Sequence, residues 1–144
     1  MNNCNFAIDD HILSSCFTLG QWTLSTVLLK NNANYPWLIL VPRVAQAKEI
    51  DQLPQETRYL LMDEISKLAF LVRTYFKPDK LNVGTLGNIV SQLHIHVVGR
   101  FIDDELWPHG VWQKELQTTN YSKSALSKLM TDLGSQVASL RDVP

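Results

Sequence analysis

Residues 91–98, reading SQLHIHVV, constrain this chain more than any other stretch. Side chains on an extended strand alternate between faces. Gln92, His94 and His96 therefore share one face, and Leu93, Ile95 and Val97 share the other. The apolar set suits a core beneath a sheet. The polar set forms a row pointing the opposite way, its members about 6–7 Å apart by strand geometry. The only other histidines are His11 and His109.

The flanking sequence predicts the setting of that strand. Residues 23–30 (TLSTVLLK) are rich in β-branched side chains and Leu and read as a strand, closed by the turn-forming cluster at 31–36. Residues 37–41 (WLILV) form an apolar run between Pro36 and Pro42, the mark of a buried strand. Pro54 can open a helix, because its missing N–H costs nothing in a first turn. Behind it Leu61, Ile65, Leu68, Ala69, Val72 and Phe76 recur at spacings of three and four, up to Pro78.

A short strand at 81–83, a tight loop at 84–88 and the histidine strand at 89–100 follow, and residues 101–117 read as irregular. A second amphipathic helix spans Ala125 to Leu140, weakened by about 1 kcal/mol at Gly134. A tight loop into the histidine strand favours antiparallel over parallel pairing. The expected fold is α+β: an antiparallel sheet of about five strands, a long helix packed on it and a C-terminal helix.

Composition narrows the function. A chain of 144 residues, 45% hydrophobic, makes one domain with a core of its own. With 13 Lys+Arg against 14 Asp+Glu it lacks the basic excess that duplex nucleic acid demands. A small phosphate ligand held by a few aimed groups remains open. Cys4 and Cys16 form neither a CxxC pair nor a disulfide framework, and neither has a sequence neighbour that would activate a thiol, so both read as inert. The first residues lack a signal-peptide pattern, and no apolar run approaches the roughly 18 residues of a membrane span. The expectation is a soluble, reduced, cytoplasmic protein with no membrane partner.

Spacing alone leaves three readings of the two strand histidines. They can simply face solvent. They can hold a metal, but zinc would need further ligands from His11, His109 or a distant carboxylate. Or one imidazole attacks an electrophile while its neighbours hold charge and assist proton transfer, work suited to a group that titrates near neutrality.

The wider context bears on that choice. Residues 87–100, GNIVSQLHIHVVGR, resemble the signature of the histidine-triad (HIT) family of nucleotide hydrolases and transferases, His-x-His-x-His before two apolar residues and after a Gly-containing loop. Residues 36–43, PWLILVPR, resemble the family's hydrophobic strand and Pro-basic segment. The long helix lies between the two, and Trp107-Pro108 falls where several members carry Trp-Pro. The resemblance runs from about residue 6 to 112. It implies a nucleotide-binding catalytic domain at 1–112, with 113–144 a C-terminal extension of the same domain.

Carried over position by position, the resemblance makes His94 the nucleophile, forming a covalent nucleotidyl-histidine. His96 contacts the scissile phosphate and assists the leaving group. Gln92 departs from the pattern, an amide where the family's first histidine gives hydrogen-bonded support. Family branches with Gln at the third position transfer to a second phosphate substrate. His96 keeps that position here, which favours water as acceptor.

Other site residues follow from the same likeness. Asn82 and Asn88 flank the loop, with Gly84 and Gly87 in it, whose amide side chain and backbone N–H groups hold the α-phosphate in the family, although turn chemistry accounts for such residues too. Asn31 or Asn32 resembles the ribose-binding residue, with an ordinary turn as the alternative. Phe6, Ile8, Leu28 and Trp37 are candidates for an apolar base pocket, and Trp37 stands where many members have histidine. Trp107 and Trp112 read as packing aromatics or as groups near a partner's site in a homodimer.

The implied activity is hydrolysis at the α-phosphate of a purine nucleotide, a dinucleoside polyphosphate or nucleoside phosphoramidate. The covalent step requires no cofactor, and a divalent cation could accompany a polyphosphate. The alternatives are a nucleotide-binding module with little catalysis, or the metal site at His94 and His96.

Overall fold

A computed structural model describes residues 5–144. The expected antiparallel α+β architecture is found, with five strands in the order β1-β2-β3-β5-β4 and antiparallel neighbours throughout. The strands are β1 (Cys16–Gln21), β2 (Ser25–Lys30), β3 (Trp37–Pro42), β4 (Lys80–Gly84) and β5 (Ile95–Arg100). A short helix α1 (Asp10–Leu13) precedes them. The long helix α2 (Gln55–Phe76) joins β3 to β4, and α3 (Lys123–Leu140) closes the chain.

Helix α1 was not expected from the sequence, and two strands also differ from that reading. Strand β1 was not expected. Its sequence, CFTLGQ, alternates weakly, and it is an edge strand with a register shift between Thr18 and Gly20, so little of it is buried on both faces. The histidine strand is shorter than residues 89–100. Pairing starts at Ile95, and residues 89–94 approach it as irregular chain. His94 therefore sits at the mouth of β5 and His96 within it.

Alternation along the strands divides the interior in two. Val27, Leu29, Leu38, Leu40, Ile95 and Val97 face the helices and pack with Leu61, Leu68, Leu71 and Val72 of α2 and Leu133 and Val137 of α3. Leu28, Trp37, Ile39, Val41 and Val98 form a second apolar cluster on the opposite face. All six residues of β3 are buried, as expected of a run that meets a layer on each side. Pro54 caps α2 at its start. Lys77 ends it in the left-handed conformation (φ 52°), its N–H donating to the Arg73 carbonyl just before Pro78.

The outer face is covered by irregular chain at 101–121 rather than by helix. One end is clamped by Arg100, whose Nε and Nη2 meet Asp104 at 2.7 and 2.8 Å and whose Nη1 donates to Asn82 Oδ1 at 2.9 Å. The other end is tied to the β2–β3 turn: Tyr121 N–H donates to Asn31 Oδ1, Asn34 Nδ2 to the Gln117 carbonyl and Ala33 N–H to the Thr119 carbonyl. No helix among the described residues is long and apolar enough to cross a membrane.

The Arg100 and Asp104 side chains are 1% and 8% exposed. The guanidinium holds the Asp104 carboxyl below the usual carboxylate range, and the Phe101 and Leu106 N–H groups also donate to it. Asp104→Asn would leave a buried cation facing a neutral amide. The expected cost is about 3–5 kcal/mol of unfolding free energy, read from urea denaturation at neutral pH.

Candidate active site

A cavity of about 550 Å³ opens on the outer face of the sheet, in the range of about 300–1,000 Å³ usual for small-molecule sites. His94 and His96 line its floor. They are only 7% and 8% exposed, so what reaches them comes through the cavity. Their rings stand edge to face with centroids 4.8 Å apart.

The two imidazoles are bonded in opposite senses. His94 Nδ1 lies 2.6 Å from the Gln92 carbonyl oxygen. A carbonyl only accepts, so Nδ1 carries the hydrogen and the neutral ring keeps its lone pair on Nε2. His96 Nδ1 lies 3.0 Å from Trp37 Nε1. An indole N–H only donates, so this Nδ1 holds the lone pair and Nε2 carries the hydrogen. One histidine is thus prepared as a nucleophile and its neighbour as a hydrogen-bond donor.

The setting of His96 keeps it neutral. Trp37 and Trp112 stand edge-on to it, each with its ring centroid 5.7 Å away. Burial, helped by His94 and Lys30, moves its pKa from 6.5 down to about 3. Trp112 reaches the site because Gly84 lacks a side chain; a Cβ there would meet the indole at 3.3 Å. The buried Trp112 Nε1–H has no acceptor among the described residues, a donor left over in the wall.

The loop after β4 forms another wall. Gly87 takes a left-handed φ of 73°, which glycine adopts without strain, and Gly87 and Asn88 both line the cavity. The backbone N–H groups of Gly87, Asn88 and Ile89 have no acceptor among the described residues. Such unpaired amides beside a pair of imidazoles suit an anion.

Of the expected site residues, the cavity brings together His94, His96, Gly87, Asn88 and Trp37. Gln92 does not line the cavity with them; it lies in the irregular chain before β5. Its amide instead donates to the Ala7 carbonyl and accepts from the Asp9 N–H, at 2.8 and 2.9 Å. It fastens the segment leading into α1, whose His11 and Ile12 line the cavity.

Asn31 holds Tyr121. Asn32 is fully buried and its Oδ1 accepts from Asn34 N–H. Asn82 belongs to the Arg100 clamp, and Trp107 lies over the same guanidinium. None of these four lines the cavity. Phe6, Ile8 and Leu28 pack in the outer apolar cluster, outside the lining.

Sequence reading passed over Lys30, Ser15, Val111 and Leu116, which do line it. For Lys30 the signal was present: period-two alternation from Leu28 puts it on the Trp37 face. For Val111 and Leu116, in irregular chain, there was none. Cys16 also has a basic neighbour after all, Lys30, its cross-strand partner on β2. Burial outweighs that cation and pushes the thiol up. Cys4 lies outside the described residues.

Among the described residues no three His, Cys, Asp or Glu side chains gather where they could hold a metal ion. His94 and His96 thus lack the further protein ligands that a metal reading needs.

The HIT domain family matches residues 14–103, and the chain belongs to it. The family is one of nucleotide hydrolases and transferases, some of them without catalytic activity. The structure is similar to a histidine triad protein from Marinobacter aquaeolei VT8, with a TM-score of 0.88 and 36% identity over 94% of this chain and 98% of that one. A histidine triad protein from Bradyrhizobium japonicum gives a TM-score of 0.87 and 34% identity, covering 92% and 98%. One from Sinorhizobium meliloti gives 0.86 and 30%, covering 92% and 97%. No curated protein sequence matches the chain.

The bond from Trp37 can be tested by pH. His96 is expected to stay a neutral Nε2–H tautomer from about pH 5 to 8 in imidazole ¹⁵N spectra, given its pKa of about 3. Trp37→Phe, which removes the donor, should release a mixture of tautomers. Because the unfolded chain takes up this proton more readily, stability should fall as pH drops from 6.5 towards 3. A His96 ring that titrates near 6.5 would contradict the geometry.

Proposed function

We propose that the protein hydrolyses a nucleoside phosphate at its α-phosphorus through a covalent nucleotidyl-His94 intermediate. The observation that carries this reading is the opposed hydrogen bonding of the two histidines at the floor of one cavity. In the first step His94 Nε2 forms the N–P bond, and the bond from phosphorus to the leaving group breaks with its electron pair. The positive charge gained by the imidazole is met by the Gln92 carbonyl, which already accepts from Nδ1–H. In the second step water attacks phosphorus, the P–N bond breaks, His94 regains its lone pair and a nucleoside monophosphate departs.

His96 has a narrower role here than the family resemblance implies. Neutral and hydrogen-bonded at Nδ1, it donates from Nε2–H to a phosphate or bridging oxygen without giving up the proton. An amine leaving group would take its proton from solvent. The unpaired N–H groups of Gly87, Asn88 and Ile89 support the transferred negative charge, as phosphoryl chemistry requires. Substrates of this class are purine dinucleoside polyphosphates and phosphoramidates, and no step calls for a metal, although a polyphosphate could bring a divalent cation with it. A homodimer is part of the proposal. Its support is the free edge of β4, with Val83 exposed, and an exposed stripe of Tyr59, Met62 and Phe70 on α2.

His94→Gly is expected to lower kcat by about 10³-fold or more while nucleoside monophosphate binding persists. Mass spectrometry of the wild-type protein quenched during turnover should find a nucleotidyl adduct on His94. Undiminished turnover in the variant would eliminate the mechanism, and tight binding with neither burst nor turnover would leave a nucleotide-binding module. Gln92→His should keep far more of kcat than His94→Gly, since the Gln92 side chain holds backbone rather than lining the cavity.

A further inference from the structure

The cavity wall is electrically one-sided. Lys30, Lys114 and His11 line it, and no aspartate or glutamate does. This is a local departure in a chain of net charge −1. Lys30 is the member built into the fold. It is half-buried at the end of β2, its ammonium 5.3 Å from the centre of the Trp37 ring and 3.3 Å from Ser15 Oγ.

Lys30 forms no ion pair with a carboxylate among the described residues. The nearby Cys16 thiol, raised by burial, does not supply a negative charge either. Cation–π contact and one hydroxyl leave most of the ammonium's hydrogen-bonding capacity unused. A partly desolvated cation with no protein counter-charge favours an anionic ligand.

Its position says which part of the ligand that would be. Trp37 contacts both groups, bonded to His96 at its indole nitrogen and carrying the ammonium over its ring. An anion at Lys30 is therefore met at the face of the indole, and a phosphate at the imidazoles is met beside its edge. Asn31 and Asn32, the residues expected to meet ribose hydroxyls, do not line the cavity, and Lys30 is the polar group that β2 presents to it.

We propose that Lys30 forms a second anion subsite, so that the preferred ligand carries a phosphate remote from the one held at the histidines. The inference rests on the nucleotide reading above, which places the first phosphate. The second can be a phosphate on the ribose or the distal end of a polyphosphate; both present the same chemistry to the ammonium.

Calorimetric titration of the wild-type protein at low salt separates these sources. The ligands are adenosine and guanosine 5′-monophosphate, the corresponding 3′,5′-bisphosphates and the α,β-methylene triphosphates. At least one ligand with a second phosphate is expected to bind about tenfold or more tightly than the monophosphate, the scale of one charge-assisted contact. A gain with the bisphosphate assigns the ribose source, and a gain with the methylene triphosphate assigns the distal one. Lys30→Gln should abolish the gain, weakening the ligand with the second phosphate far more than the monophosphate, and Lys30→Arg should retain it.

A missing gain, or one that survives in Lys30→Gln, overturns the subsite alone. Failure of every monophosphate to bind removes the nucleotide reading and the subsite together. A retained gain in a protein that turns over neither a dinucleoside polyphosphate nor a nucleoside phosphoramidate removes only the proposed reaction.

Discussion

The chemistry available to this fold depends on two hydrogen bonds of opposite sense at neighbouring imidazoles. A backbone carbonyl takes the Nδ1 hydrogen of His94, and an indole gives its hydrogen to Nδ1 of His96. Neither bond is strong in net terms, each worth on the order of 1 kcal/mol. What they decide is where a lone pair and a proton reside, and that distinction separates a nucleophile from a donor. The rest of the architecture keeps these two partners in place. The bend before β5 aims the Gln92 carbonyl, and the pairing of Trp37 with Val98 and of Ile39 with His96 carries the indole to its partner.

Departures from the family signature become intelligible in this frame. The outer position of the triad faces the N-terminal segment, where it must both donate to one carbonyl and accept from one N–H. A carboxamide meets both demands at any pH. Trp37 gives His96 a donor that does not titrate, and stands edge-on to its buried ring.

Much of the fold was legible because its signals were periodic. The spacing of Leu61, Leu68 and Val72 predicts α2, and the run at 37–41, flanked by prolines, predicts a strand buried on both faces. Strand β1 was not legible, being an edge with broken register. The site was half legible: alternation placed His94 and His96 together above Leu93, Ile95 and Val97, but it could not show that the Gln92 side chain is spent on the Ala7 and Asp9 backbone instead of lining the cavity. Asn31, Asn32 and Asn82 show the other limit. Amides near a turn are equally good at binding a ligand and at tying chain to chain, and only the fold reveals that Tyr121, Asn34 and Arg100 are their partners.

The covering chain at 101–121 is pinned at both ends, by the Arg100–Asp104 clamp and by the contacts of residues 31–34. Between those anchors lie Val111, Trp112, Gln113, Lys114 and Leu116, which enclose the cavity yet belong to no strand or helix. Their identities and spacing can therefore change without disturbing strand register. In such a design the histidine pair is fixed by the sheet, while the shape of the enclosing wall resides in a suspended span that is free to diversify.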